Sequence, residues 1–240
     1  MSGCQKKWAG ESLPQPGTVQ VKICGLTRVD EAVACAQAGA RAIGCVFYAK
    51  SPRCVTAATA REIRRALPPE ITCVGVFVDE PFEGIMALAA HTGFTAVQLH
   101  GSESPQVVQL LRREGLFVIK ALFAERAPGI EAASGFPASA FLVECGQGPL
   151  PGGNARAWEW GRAAALGERH PLILAGGLDP QNAAQSVRAA LPDAVDVSSG
   201  VEVRPGRKDI RKVEQFIAAV ATASASVRRR IFACTHPTRP

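Results

Sequence analysis

Eight short apolar runs recur along this chain at intervals of roughly twenty to thirty residues, and that spacing constrains the fold more than any other feature. The runs are 19–23, 42–47, 72–78, 96–99, 117–122, 140–143, 172–174 and 194–197. They are rich in Val, Ile and Leu and nearly free of charge, as parallel strands covered on both faces must be. The stretches 30–38, 57–67, 82–91, 104–113, 157–166, 180–190 and 208–221 read as helices, two of them opened by Ser104-Pro105 and Asp179-Pro180 and one closed at Gly39. The segment 125–137, with two Pro and two Gly, is the weakest helix of the series. Eight strand-then-helix units in about 200 residues predict an α/β fold, a single (β/α)8 TIM barrel over residues 18–221. A flexible N-terminal extension (1–17) and a disordered basic tail (222–240) are expected to flank it. A doubly wound open sheet is the alternative, because local patterns do not see closure.

Composition narrows the function classes. The chain has 240 residues, 47% hydrophobic and 20% charged, enough for one large core. Its net charge is +6, but the segment 222–240 holds Arg228, Arg229, Arg230 and Arg239 and no acid, which leaves +2 for the rest. Scattered charge and 6% aromatics do not make a phosphate-tracking groove, so no nucleic-acid partner is expected, and the tail reads as a solvated end. The eight cysteines include no C-x-x-C pair, which argues against a metal site, and several lie inside apolar runs where a reduced thiol acts as a small core residue. A reducing cytoplasm follows. No apolar run approaches membrane-spanning length, and Met1 to Gly17 has no continuous apolar region that would make a secretory signal.

The strand ends carry the chemistry. In a barrel of this kind the C-terminal ends of the strands form the working mouth. Read in order, they give Cys24, Arg53, Asp79, Gln98 with His100, Lys120, Glu144, Gly176-Gly177 and Ser198-Ser199-Gly200. Each has a plain structural reading: a buried thiol, a core imidazole, a helix cap, a charge pair. Their convergence on one face is what points to a site. Small residues after the seventh and eighth strands allow backbone N–H groups to approach an anion, so Gly176, Gly177, Ser199 and Gly200 are read as a phosphate cradle.

Six stretches, taken together, resemble a known family. They are Val21-Lys22-Ile23-Cys24-Gly25-Leu26-Thr27, Ser51-Pro52-Arg53-Cys54-Val55, Val74-Gly75-Val76-Phe77-Val78, Val97-Gln98-Leu99-His100-Gly101, Leu174-Ala175-Gly176-Gly177-Leu178 and Asp196-Val197-Ser198-Ser199-Gly200-Val201-Glu202, followed by Pro205-Gly206-Arg207-Lys208-Asp209. In this order they are similar to the signature stretches of the phosphoribosylanthranilate isomerases of tryptophan biosynthesis, over about residues 18 to 220. The resemblance implies an Amadori rearrangement of a phosphosugar substrate, run by one general acid and one general base with no cofactor and no metal. It implies Cys24 as the base, Arg53 for the anthranilate carboxylate, and Gln98, His100 and Asp196 as further substrate-binding residues. A nearby cation such as Lys22 would favour the thiolate if it pointed into the same mouth.

The acid is where the chain departs from the family. A typical Leu-Leu-Asp is here Leu142-Val143-Glu144-Cys145, a Gly-Gly-Thr-Gly stretch is Gly152-Gly153-Asn154-Ala155, and Phe-Asp-Trp is Trp158-Glu159-Trp160. Glu144 is therefore expected to serve as the acid with one extra methylene, in a remodelled loop. A catalytically silent phosphosugar-binding barrel and a related aminosugar-phosphate isomerase are the alternatives, and the assembly is expected to be a monomer or homodimer.

Overall fold

The computed structural model describes residues 17–148, 157–223 and 228–232. Residues 1–16, the Gly152-Gly153-Asn154-Ala155 stretch and the remainder of the tail lie outside the described residues. Eight parallel strands, β1 (Gln20–Cys24), β2 (Ala42–Phe47), β3 (Thr72–Phe77), β4 (Ala96–Leu99), β5 (Phe117–Phe123), β6 (Ala140–Glu144), β7 (Leu172–Leu174) and β8 (Ala194–Val197), close into a barrel in sequence order. The closing pair decides against the open sheet: β8 lies beside β1, with Val21 opposite Val195 and Lys22 opposite Asp196.

Period-two alternation sorts each strand into a lumen face and a helix face. Small and branched residues fill the lumen: Ala42, Val74, Ala96, Ile119, Ala140, Ile173 and Ala194 lie lowest, with Ala121, Leu142 and Ala175 above them. On the outside, Ile23, Ile43, Cys45 and Val195 pack with Ala32, Cys35, Val213 and Phe216 of the surrounding helices. Phe77, Leu99 and Val118 pack with Ile85, Val108 and Leu111. The helices are α1 (Val29–Gln37), α2 (Ala57–Ala66), α3 (Phe82–Thr92), α4 (Pro105–Arg113), α5 (Ala164–Arg169), α6 (Ala183–Ala190) and α7 (Ile210–Ala223). Thr56 and Ser104 cap α2 and α4 by accepting from the N–H groups of Thr59 and Val107, and α3 stops at Gly93 in the left-handed region.

Three expectations need correction. The stretch 157–166 is not a helix throughout: a 3-10 turn (Trp160–Ala163) precedes α5, because the indoles of Trp158 and Trp160 tie the preceding backbone to Ala175 O and Gly176 O. The segment 125–137 holds only a 3-10 turn (Ile130–Gly135). The tail is not a loose solvated end over 228–232, although Arg228 and Arg230 are exposed. There Ile231 and Phe232 are buried on the floor of the lumen, and the Gln20 side chain accepts from both their N–H groups and donates to Phe232 O. Arg229 anchors the same segment, its N–H on Asp193 and its guanidinium on the carbonyls of Gly167 and Glu168. Three consecutive arginines suggest solvent, whereas here the Arg228 and Arg229 heads reach helix-end carbonyls and the residues that follow Arg230 are apolar.

Candidate active site

Lys22 and Cys24 are two apart on β1 and so face the lumen together. The Lys22 ammonium donates to Asp196 Oδ1 at 2.9 Å, across the seam where β1 meets β8. Cys24 lies beside that ammonium, in space that Gly44 of β2 leaves open: a Cβ there would fall 2.8 Å from Cys24 Sγ and 3.2 Å from Lys22 Nζ. Burial pushes the Cys24 thiol above its ordinary value, Lys22 pulls it back down, and Asp196 adds to the rise. Burial alone would lower the Lys22 ammonium, but Asp196 and Cys24 raise it, so it stays charged.

On the other side of the mouth, Glu144 ends β6, and its Oε1 meets His100 Nε2 at 3.1 Å. His100 Nδ1 in turn meets Gln98 Nε2 at 2.8 Å, and the ring lies edge-on to Phe123. Cys24, Arg53, His100, Glu144 and Asp196 are each between 6% and 8% exposed, which leaves them reachable from the mouth yet largely stripped of water. The backbone N–H groups of Gly176, Gly177, Ser199 and Gly200 donate to no acceptor among the described residues. Gly176 and Gly177 have φ of +86° and +70°, and a Cβ at Gly200 would collide with Leu178 O.

Arg53 sits differently from expectation. Its Nε and Nη2 grip Glu202 at 2.9 and 2.7 Å, so the bidentate partner is a protein carboxylate and Nη1 is what remains for a ligand. Glu202 also accepts from Lys208 Nζ at 2.8 Å and Gly206 N–H at 3.2 Å. Burial opposes ionisation of Glu202, but Arg53 and Lys208 hold its carboxyl below the ordinary value. Glu202 and Lys208 carry no role in the sequence motifs alone; the signal for them is the opposite charge of Arg53 and Glu202, in motifs far apart in the chain. Two strand-end groups do not join the site. Lys120 lies on the outer face of β5, bound to Glu103 and the carbonyls of Leu99 and Gly101. Asp79 accepts from Ser102 N–H in the loop after β4. Among the described residues no group of three or more His, Cys, Asp or Glu stands together as a metal site, and no helix is long and apolar enough to cross a membrane.

Comparison with known proteins decides the family. A sequence model of N-(5'-phosphoribosyl)anthranilate (PRA) isomerase matches residues 21–219. The chain belongs to the PRA isomerase family. The isomerase of Desulfatibacillum aliphaticivorans is 52% identical over 199 residues, 83% of this chain and 91% of that one. Phosphoribosylanthranilate isomerase from Thermotoga maritima superposes with a TM-score of 0.77 at 36% identity, covering 84% of this chain and 98% of that one. A phosphoribosylanthranilate isomerase bound to reduced 1-(o-carboxyphenylamino)-1-deoxyribulose 5-phosphate superposes with a TM-score of 0.74 at 35% identity, with the same coverage. The closed barrel of a PRA isomerase thus carries, in this chain, a Glu at the end of β6.

Proposed function

We propose that the chain isomerises N-(5'-phosphoribosyl)anthranilate to 1-(2-carboxyphenylamino)-1-deoxyribulose 5-phosphate, with Glu144 as general acid and Cys24 as general base. One observation carries this reading: β1 and β6 present a thiol and a carboxyl to the same mouth, next to four unpaired backbone N–H groups after β7 and β8. The N–H groups of Gly176, Gly177, Ser199 and Gly200 hold the phosphate. Arg53 Nη1 takes the anthranilate carboxylate, and Asp196, already bound to Lys22, meets the sugar hydroxyls.

Glu144 gives its proton to the furanose ring oxygen, the C–O bond breaks, and the sugar opens to a protonated Schiff base. Cys24 then removes the proton from the neighbouring carbon, and the resulting enolamine tautomerises to the ketone. Lys22 and Lys208 are the cations that favour the Cys24 thiolate, although burial outweighs them. Low exposure serves the second step, because a desolvated thiolate is the stronger base. No cofactor enters this scheme. The assembly is a monomer or homodimer; a dimer is named for the T. maritima relative.

Purified protein should consume phosphoribosylanthranilate in a fluorescence assay. Cys24→Ser should lower kcat by at least about a hundredfold, the lower end of general-base contributions, while KM holds. Parent-like turnover by the Ser variant would remove Cys24 from the mechanism.

A further inference from the structure

One hydrogen bond at the mouth lies outside that mechanism. Gln98 and His100 are two apart, and the amide nitrogen of Gln98 meets His100 Nδ1 at 2.8 Å. Gln98 is 1% exposed, and its Oε1 is the one buried side-chain polar atom without a partner among the described residues. A buried carbonyl left bare forfeits the hydrogen bonds it makes with water in the unfolded chain. An amide can present either end at almost equal volume, and the end that meets the ring decides which ring nitrogen carries the proton.

An amide nitrogen has only protons to give, which makes Nδ1 an acceptor and leaves the single ring proton of a neutral imidazole on Nε2. That nitrogen faces Glu144 Oε1 at 3.1 Å, and in this tautomer it is the donor. The edge-on ring of Phe123 fixes the plane of the imidazole, so the tautomer decides what Oε1 can do. An oxygen that is already accepting from Nε2–H is the poorer place for a proton, and the carboxyl is left to protonate on Oε2. With the other tautomer, Nε2 would be an acceptor, and it would draw the carboxyl proton onto Oε1 and away from the substrate.

We propose that Gln98 is a positioning residue of the acid: by donating to Nδ1 it holds His100 as the Nε2–H tautomer, which grips Glu144 Oε1 and reserves Oε2 for the proton that is transferred. The bare Gln98 oxygen is the cost of presenting the nitrogen. This role rests on Glu144 as the acid, and the two are separable by experiment.

The sequence has four histidines, His91, His100, His170 and His236. The His100 ring is therefore assignable in a nitrogen-15 spectrum by its loss in His100→Asn. With the ring neutral, the parent should show a bare Nδ1 and a protonated Nε2. Gln98→Glu offers only acceptors and should pull a proton onto Nδ1. It should lower kcat about ten- to a hundredfold, the usual loss when an outer hydrogen-bond partner is removed, with KM held. Gln98→Met, uncharged and similar in shape, covers the case in which the buried carboxylate prevents folding; it should give a mixture of tautomers and a smaller loss. A parent ring protonated on Nδ1, or variants with parent tautomer or parent kcat, would overturn the proposal. Full activity in Glu144→Gln would instead remove the acid, and with it the purpose of the relay, while the tautomer measurement would still stand.

Discussion

Cys24 stands under opposing influences, and their balance is measurable. Burial raises the thiol above its ordinary value of 9.0, Lys22 lowers it, and Asp196 raises it. Thiolate absorbance, taken as the difference between the parent and Cys24→Ser, should therefore rise at a pH above 9.0. Lys22→Met removes the lowering charge and leaves Asp196 facing the thiol, so the transition should move to still higher pH. Each unit of that movement should cut the rate at neutral pH about tenfold; an unmoved transition would show that Lys22 does not act on Cys24. For the acid, Glu144→Asp retracts the carboxyl by one methylene from His100, which now meets it at 3.1 Å. The Asp variant should be slower by about a hundredfold, as misplacement of this size usually costs, and a variant as fast as the parent would mean that the carboxyl's reach is not decisive. Cys24 and Glu144 are legible as strand ends, because each closes a short apolar or alternating run. Lys120 stands at a strand end too, but one residue off the lumen parity of Ile119, Ala121 and Phe123, which a strand end alone does not reveal. The contact between His100 and Glu144 was not legible, since it depends on the stagger of β4 against β6 around a closed barrel.

Beyond β8 the chain makes a small hairpin, β9 (Glu202–Arg204) paired with β10 (Arg207–Lys208), and this element holds the mouth by charge. Glu202 receives Arg53 and Lys208, and Glu31 of α1 receives Arg207 and the Lys208 N–H. Glu202→Gln leaves two cations without their anion and should destabilise the fold by about 3–5 kcal/mol in urea unfolding. Because the folded carboxyl lies below its ordinary 4.5, its contribution is present above that value and is lost as pH falls through the lower folded value. Stability of the variant should accordingly vary less with pH below 4.5 than that of the parent, and equal slopes would discount the pairing. The eight strands were legible to within a residue or two because burial on two faces leaves short, nearly uncharged apolar runs, and most helices because caps and a one-sided apolar stripe mark them. The hairpin was not, since Glu202 to Lys208 is polar and its order comes from long-range ion pairs. The turn at Trp160–Ala163 was missed for a similar reason: its backbone answers to indole bonds with the β7 loop rather than to helical periodicity.

Across the whole molecule, chemistry gathers at the mouth and the opposite end is sealed by hydrocarbon. Ile231 and Phe232 cover the lowest lumen residues, so Phe232→Ala should cost about 3–5 kcal/mol. At about 2–4 °C per kcal/mol for a chain of this size, melting should fall by roughly 6–20 °C. Turnover at room temperature should hold, because the floor touches none of the reacting groups; a loss of kcat without a fall in melting temperature would contradict this division. The seal was invisible in sequence because no local pattern links Phe232 to Gln20, more than two hundred positions earlier. The thiols divide over the molecule as well. Cys35, Cys45 and Cys73 are buried against the helices, burial holds Cys35 and Cys73 up at about 12, and Cys24 is sunk in the mouth, while Cys54, directly after Arg53, is exposed. An alkylating reagent therefore meets Cys54 before it meets Cys24, and its adduct sits one residue from the guanidinium that grips Glu202. Inactivation by such a reagent does not by itself identify the base; it has to be repeated on a chain in which Cys54 has been replaced.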